Sequence, residues 1–313
     1  MGRFFLSSEC ANRCFQKQKN TSFGAHILDD LSKFSLEFAP PPEDLQELVS
    51  TFYLFAADVE ETQQTERADR AQLRFLLKGS GGYEFCDGVY MDATPVIIIG
   101  PTTGPTIGHV NGPLEIFGIG LQPAGWGSLM GADAENHTNR LIDAVSIFGY
   151  GVMKTHAAID AAETMAEKAA IGETFARELL KDAESSPIWF TRVVDEWLTG
   201  SASPDINELI ERSGLSKRQV ERMTKRFYGA SPKLLARKYR ALRAASLLVR
   251  KDGEDGESVE DAFYDQSHLI REIKEFTGVT PGKMSKKPTA LTKEVAERRK
   301  KLAGKVSKLI SDT

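Results

Sequence analysis

The hydrophobic rhythm of the chain changes twice. Residues 1–35 hold no sustained period and predict a loosely ordered leader. Residues 40–49, PPPEDLQELV, predict a turn and the start of a short helix. From about residue 50 short apolar runs follow one another: VSTFYLF, AQLRFLLKG, YEF, PVIIIGP and LEIFGIGLQP. They are separated by GSGG at 79–82, GPTTGP at 100–105 and NGP at 111–113. Runs of this length between Gly and Pro clusters predict strands joined by turns, and several of them predict a sandwich- or barrel-like domain over 36–150. GWGSLMG and NHTNRLIDAVSIFG predict short helices that close it. After Gly151 the pattern turns helical. THAAIDAAETMAEKAAIGETFARELLKDA, about 29 residues rich in Ala, Glu and Lys, predicts one long helix. SSPIWFTRVVDEWLTG predicts another that ends at Gly200, so 151–200 reads as a helical connector.

Beyond SASPD the pattern is denser. DINELIERSGLSKRQVERMTKRFYGASP predicts helix, turn, helix. Asp205 is placed to cap the first helix, Gly214 supplies the turn, and Ser216 with Gln219 forms a capping-box pair. At 100° per residue Val220, Met223 and Phe227 share one side of the second helix, and Arg218, Glu221, Arg222 and Lys225 share the other. Cations and one carboxylate on an exposed face have the chemistry to read base edges: Arg pairs bidentately with guanine, and Glu accepts from cytosine. A long third helix, SPKLLARKYRALRAASLLVR, carries the stripe Leu235, Tyr239, Leu242, Ser246 and Val249. Further on, Gln266–Thr277 predicts a helix with Leu269, Ile273 and Phe276 inward. Ser267, Arg271 and Lys274 lie opposite, and His268 and Ile270 flank them. The fold class is therefore α+β, with a β-rich N-terminal domain and an all-α C-terminal domain at 201–285. Residues 286–313 predict a basic amphipathic helical tail with Leu291, Val295, Leu302, Val306 and Leu309 on one side. Three roles fit it, packing on the domain, pairing with another chain or binding phosphate, and a bare solvated face fits it as well as those three together.

Charge sharpens this division. Residues 1–200 hold 15 Lys+Arg against 28 Asp+Glu, a net of −13, whereas 201–313 hold 25 against 16, a net of +9. Residues 212–251 contain 13 basic residues and one acidic one, Glu221. A dense basic segment on an acidic chain predicts a polyanionic partner. Phosphates are the expected contacts of Ser216, Lys217, Lys225, Lys233, Arg237, Lys238 and Lys274, which position a protein on DNA without specifying sequence.

Other chemistries find little support. Three cysteines, Cys10, Cys14 and Cys86, do not make a disulfide framework, and Cys10 and Cys14 with His26 and Cys86 do not form a zinc pattern. No metal and no cofactor is expected. GPTTGP lacks the lysine of a phosphate loop. Asp265, Ser267 and His268 suggest a triad by type alone. They crowd into one helical turn, where neighbouring side chains point about 100° apart, and no G-x-S-x-G surrounds any serine. The absence of an 18-residue apolar run and of a secretory pattern predicts a cytoplasmic protein with no membrane partner.

At this point a resemblance can be stated. GLSKRQVERMTKRFYGASPKLLARKYRALRAA and FYDQSHLIREIKEFTGVTP resemble the DNA-binding domain of AraC/XylS-type transcriptional regulators. The resemblance implies two helix–turn–helix units joined by a long helix, with their recognition helices in successive major-groove segments of double-stranded DNA. Carried onto this chain, it makes Arg218, Glu221 and Arg222 base-facing in the first helix. In the second it makes Ser267, His268 and Arg271 base-facing, with Gln266 near the groove edge. The chain departs from the family at KDGEDGESVEDA, which is acidic and has Ala262 where glycine is usual. That segment predicts a truncated first helix in the second unit.

VIIIGPTTGPTIGHVNGPLEIFGIGLQPAGWGSLMG more loosely resembles the β-rich N-terminal domains of some members. This implies a role in effector binding or dimerisation. A homodimer, an unidentified small-molecule effector and, for an activator, contact with RNA polymerase are the expected partners. Tyr83, His109, Phe117 and Trp126 are candidates to line a ligand pocket, although ordinary core aromatics and one surface histidine are the favoured account of them. Two other readings stay open: a nonspecific architectural DNA binder, and an enzyme on the β-rich domain with accessory DNA binding.

Overall fold

A computed structural model describes residues 33–180, 187–250 and 266–313. The β-rich part is one antiparallel sheet of eight strands. These are β1 (Phe34–Ala39), β2 (Val49–Ala57), β3 (Glu61–Glu66), β4 (Gln72–Glu84), β5 (Tyr90–Asp92), β6 (Val96–Ile99), β7 (Thr106–Leu121) and β8 (Leu141–Asp143). The order is β1-β2-β7-β4-β6-β8, with β3 added to β7 and β5 to β4. The long β7 is the spine: its second half pairs with β2 and its first half with β3, while β4 follows it on the other side.

Alternation along the strands gives this sheet two different faces. Phe52, Leu73, Phe75, Phe117 and Ile119 point to one side and form a closed aromatic core with helices that follow. Leu36, Tyr53, Phe55, Leu76, Leu114 and Ile116 point to the other. Gln72 and Arg74 share that second side by register, so it mixes apolar wall with charge.

Two segments expected as turns lie inside strands. GSGG belongs to β4 and NGP to β7. The glycines serve close approach rather than chain reversal. The register between β4 and β7 slips twice around Lys78, and Gly79 has φ +84. A Cβ there would lie 2.8 Å from the Asn111 carbonyl oxygen. Strand β1 overlaps the end of the expected leader, and β8 falls where a helix was expected.

The helices are α1 (Pro123–Met130), α2 (Ala144–Phe148), α3 (Val152–Ala161), α4 (Met165–Leu180) and α5 (Ile188–Gly200). They continue with α6 (Ile206–Ser213), α7 (Lys217–Tyr228), α8 (Pro232–Arg250), α9 (Gln266–Thr277), α10 (Pro281–Lys286), α11 (Ala290–Lys300) and α12 (Lys308–Ser311). The long helix expected after Gly151 is two helices, α3 and α4. Thr164 and Glu167 interrupt it: the Glu167 carboxylate accepts from the Glu163 and Thr164 backbone N–H groups, and Thr164 Oγ1 accepts from Glu167 N. This T-x-x-E pattern starts a new helix where composition alone continues the old one. Helix α5, expected as connector, instead packs Phe190, Val194 and Trp197 into the helical core with Leu209, Val220 and Phe227.

The tail folds back over both parts. Leu291 of α11 joins the second face of the sheet, and Ala296 and Leu309 join the helical core. Of its three expected roles, packing on the domain is the one the structure shows. The segment expected to be a truncated helix, 251–262, lies outside the described residues.

Candidate functional site

Helix α7 is built as its sequence predicts. Asp205 caps α6 by accepting from Asn207 N, and Gly214 closes that helix at φ 65. Ser216 and Gln219 form the reciprocal capping box at the start of α7, and Gly229 ends it at φ 71. Val220 and Phe227 are buried, and Met223 packs against the same core. Arg218, Glu221 and Arg222 are exposed on the opposite side.

The far end of α7 leans on the β-rich part. Lys225 Nζ lies 3.0 Å from Glu135 Oε1, and Arg226 Nε lies 3.6 Å from Asp133 Oδ1. Thr138 Oγ1 donates to the Gly229 carbonyl at 3.1 Å. Lys225 is thus already partnered by a carboxylate in this arrangement.

Helix α9 turns Leu269, Ile273 and Phe276 inward. Gln266, Ser267 and Arg271 are exposed, and His268 is half-buried, with Nε2 3.7 Å from Glu272 Oε1. Glu272 was not anticipated. It sits on the apolar stripe, three residues after Leu269 and four before Phe276, and only 1% of its side chain is exposed. Arg237 Nε donates to Glu272 Oε1 at 2.8 Å, and Arg240 Nη2 donates to Oε2 at 2.8 Å. Arg237 Nη2 also donates to Glu275 at 2.6 Å. A charge on a buried stripe must be paired, and that placement was the available signal. Asp265 lies outside the described residues, and Ser267 and His268 show no triad geometry.

Two phosphate assignments change. Arg237 is committed to Glu272 and Glu275. Lys238 is only 4% exposed, and its Nζ donates to the backbone carbonyls of Asp69 at 2.7 Å and Thr102 at 2.8 Å. Lys238 therefore cannot reach a phosphate as placed. It fell off the apolar stripe on the wheel, but the β-rich part covers that side of α8. Burial pushes its ammonium down to about 7. Ser216, Lys217 and Lys233 are exposed and Lys274 is half-buried.

The four pocket candidates divide. Tyr83 and His109 line a cavity of about 280 Å³ on the second face of the sheet. Phe117 and Trp126 do not. Phe117 stacks on Phe52 in the opposite core, and Trp126 is buried there too, its indole N–H donating to the Ala132 carbonyl at 3.0 Å. Register decides this: Phe117 is one residue out of phase with Ile116, which faces the other way.

The cavity has an apolar wall and a charged end. Leu36, Phe38 and Phe55 of the sheet face Leu291 and Val295 of α11 across it. Arg74 is held by Glu66 at 2.7 Å and donates to Tyr83 Oη at 2.8 Å. Arg67, Asp69 and Arg70, from the loop between β3 and β4, line its other end with Arg299. Arg70 Nη2 donates to Asp195 of α5 and Nε to Tyr239 of α8, both at 3.0 Å. Arg299 Nη2 donates to Asp69 at 2.7 Å. The Ala68 N–H donates to the Phe276 carbonyl at the end of α9 at 2.7 Å. One short loop, Arg67–Ala71, thus touches the sheet, the long helix α8, the end of α9 and the tail.

Among the described residues no helix is long and apolar enough to cross a membrane, and no cluster of His, Cys, Asp and Glu suits a metal. Among curated proteins none matches the chain. Solved structures similar to it include ToxT from Vibrio cholerae, at TM-score 0.43 and 6% identity over 80% of this chain and 97% of ToxT. ToxT from Vibrio cholerae O395 gives TM-score 0.42 and 8% identity over 80% and 96%. The AraC-like transcriptional activator CuxR gives TM-score 0.29 and 13% identity over 73% and 84%. Superpositions this loose do not fix function, and the assignment rests on the sequence of the helical part. There residues 209–287 match the family model described as a helix-turn-helix domain. They span α7, the long α8 and α9, so the C-terminal part of this chain is a helix–turn–helix domain of the AraC type.

Proposed function

We propose that this chain is a sequence-specific transcription regulator that reads two successive major-groove segments of double-stranded DNA with α7 and α9. One observation carries the reading: both helices bury their apolar stripe and leave a polar, arginine-bearing face in solvent. On α7 that face is Arg218, Glu221 and Arg222. On α9 it is Gln266, Ser267 and Arg271, with His268 at its edge. Arg suits guanine, Glu suits the cytosine amino group and Gln suits adenine. Ser216, Lys217, Lys233 and Lys274 serve the phosphates, and Lys225 joins them only after leaving Glu135. The β-rich part serves effector binding or dimerisation, and an activator form would contact RNA polymerase.

The test is capture of genomic DNA fragments by the full chain at physiological salt, followed by sequencing. A shared motif spanning two groove segments is the expected outcome. Enrichment without a motif, together with a steep fall of binding with salt, would instead identify a nonspecific binder.

A further inference from the structure

Helices α7 and α9 share one sequence frame. Gly229 and Gly278 follow them at positive φ, 71 and 76. When these two glycines are aligned, Phe227 falls on Phe276 and Val220 on Leu269, and all four are buried. Arg222 falls on Arg271 and Lys225 on Lys274. The outward positions therefore correspond one by one. At one of them the chemistry changes from charged to apolar: Glu221 falls on Ile270.

Ile270 breaks the rule that fills the rest of the helical part. Among the described residues from 201 onward it is the one large apolar side chain left exposed, at 43%. It joins none of the apolar clusters that the described residues form. Helix formation does not ask for it either, since a β-branched side chain favours a helix less than Glu, Lys or Arg. The exposure belongs to the position. Glu221 is exposed at the same place on α7, although α6 packs beside that helix through Leu209 and Val220. A lone exposed isoleucine is ordinary on most surfaces. This one stands one turn from Ser267 and one turn from Lys274, beside Arg271, on the side of α9 that faces the groove in the reading above.

The major groove offers an apolar side chain a specific partner. Thymine presents its C5 methyl group there, whereas cytosine presents an amino group and no methyl. Glu221 matches the amino group, and Ile270 matches the methyl. We propose that Ile270 packs on a thymine methyl in the groove segment taken by α9, so that this position selects a 5-methylpyrimidine where the equivalent position of α7 selects cytosine. The inference rests on the reading of α7 and α9 as groove helices and adds the base chemistry that α9 selects. The branched Cβ confines the side chain to few rotamers, so little freedom is lost on contact. A methyl group is what is recognised, so 5-methylcytosine offers the same contact as thymine.

The experiment uses the full chain and the motif obtained by DNA capture. Each thymine of the motif is replaced singly by deoxyuridine, which removes the methyl and keeps the base pairing, and affinity is read by competition at fixed salt. One replacement should weaken binding roughly fourfold, the worth of one buried methyl, and it should adjoin the position that Arg271→Ala relaxes. Ile270→Ala should weaken binding to the thymine site and lose nothing further on deoxyuridine, so the two changes are not additive. Its melting temperature should match that of the unchanged chain, because the side chain joins no core. With 5-methylcytosine in place of cytosine at that position, the unchanged chain should bind roughly fourfold tighter and Ile270→Ala no tighter. Ile270→Glu should move the preference there toward cytosine. A motif in which no thymine responds, a deoxyuridine penalty of equal size in Ile270→Ala, or an Ile270→Ala protein that weakens every sequence evenly would each overturn the proposal. The two readings fail separately. The lack of any motif removes both, whereas a motif without a deoxyuridine-sensitive position removes this inference alone.

Discussion

Helices α7 and α9 present similar faces but are held in place by different forces. Helix α7 is fixed locally, by the capping box of Ser216 and Gln219 and the glycines on either side. Helix α9 is fixed from a distance, by a buried carboxylate, Glu272, clamped between Arg237 and Arg240 of the preceding long helix. The capping interactions of the first lie within its own stretch of sequence, Ser216 to Gly229. The second exists only when α8 and α9 are already together. Removal of a local cap therefore weakens one helix, whereas removal of Glu272 unseats one helix and takes a shared counter-charge from two arginines.

That contrast can be broken in several ways. Glu272→Ala should have the largest effect, about 3–5 kcal/mol of lost stability, because it takes a buried carboxylate from two partly buried cations, of which Arg237 keeps Glu275. Urea unfolding of the full chain measures it, and a loss under 1 kcal/mol would mean that the clamp is not what holds α9. Arg222→Ala and Arg271→Ala should each cost about 1–3 kcal/mol at one base position. Competition between DNA sequences reads this, and an unchanged preference in either variant would remove that helix from direct readout.

Lys238 adds a pH dependence that belongs to α8. The unfolded chain keeps the Lys238 proton up to about 10.5, while the folded protein releases it near 7. Between those values the unfolded state binds more protons, so stability should rise with pH by at most about 1.4 kcal/mol per unit. Below 7 this contribution is flat and at its least favourable. Melting curves from pH 6 to 9 should show the climb, and Lys238→Met should flatten it. Ser216→Ala should cost about 1 kcal/mol, well short of Glu272→Ala, and a reversal of that order would undo the distinction between local and distant support. The smallest effect is expected of Glu135→Gln. It frees Lys225 and should tighten DNA binding by under about 1 kcal/mol, with a salt slope steeper by up to about one phosphate.

The same contrast explains what the sequence made legible. The caps Asp205 and Ser216, the stripe Val220, Met223 and Phe227, and the stripe of α8 all follow from spacing, and all lie where expected. These are interactions within a few residues of each other. The junction was not legible, because Lys238 lies 169 residues from Asp69 in sequence and Arg299 lies 230 from it. A wheel can say that Lys238 leaves the apolar stripe, but not that a sheet loop covers it. The β-rich part was read correctly as strands and wrongly in two of its turns, GSGG and NGP, since GSGG carries the same letters whether it reverses a chain or lets two strands press together. Phe117 and Trp126 looked as suitable for a pocket as Tyr83 and His109, and only strand register separated them.

Lys238 also limits how freely this molecule can be recombined. Its ammonium is solvated by the Asp69 and Thr102 carbonyls, atoms that belong to the β-rich part. A chimera that grafts residues 201–313 onto a foreign sensor would return that lysine to water or trap it against a surface without acceptors. The graft would then need the loop transplanted with it, or a lysine replaced, before it could behave as an interchangeable module.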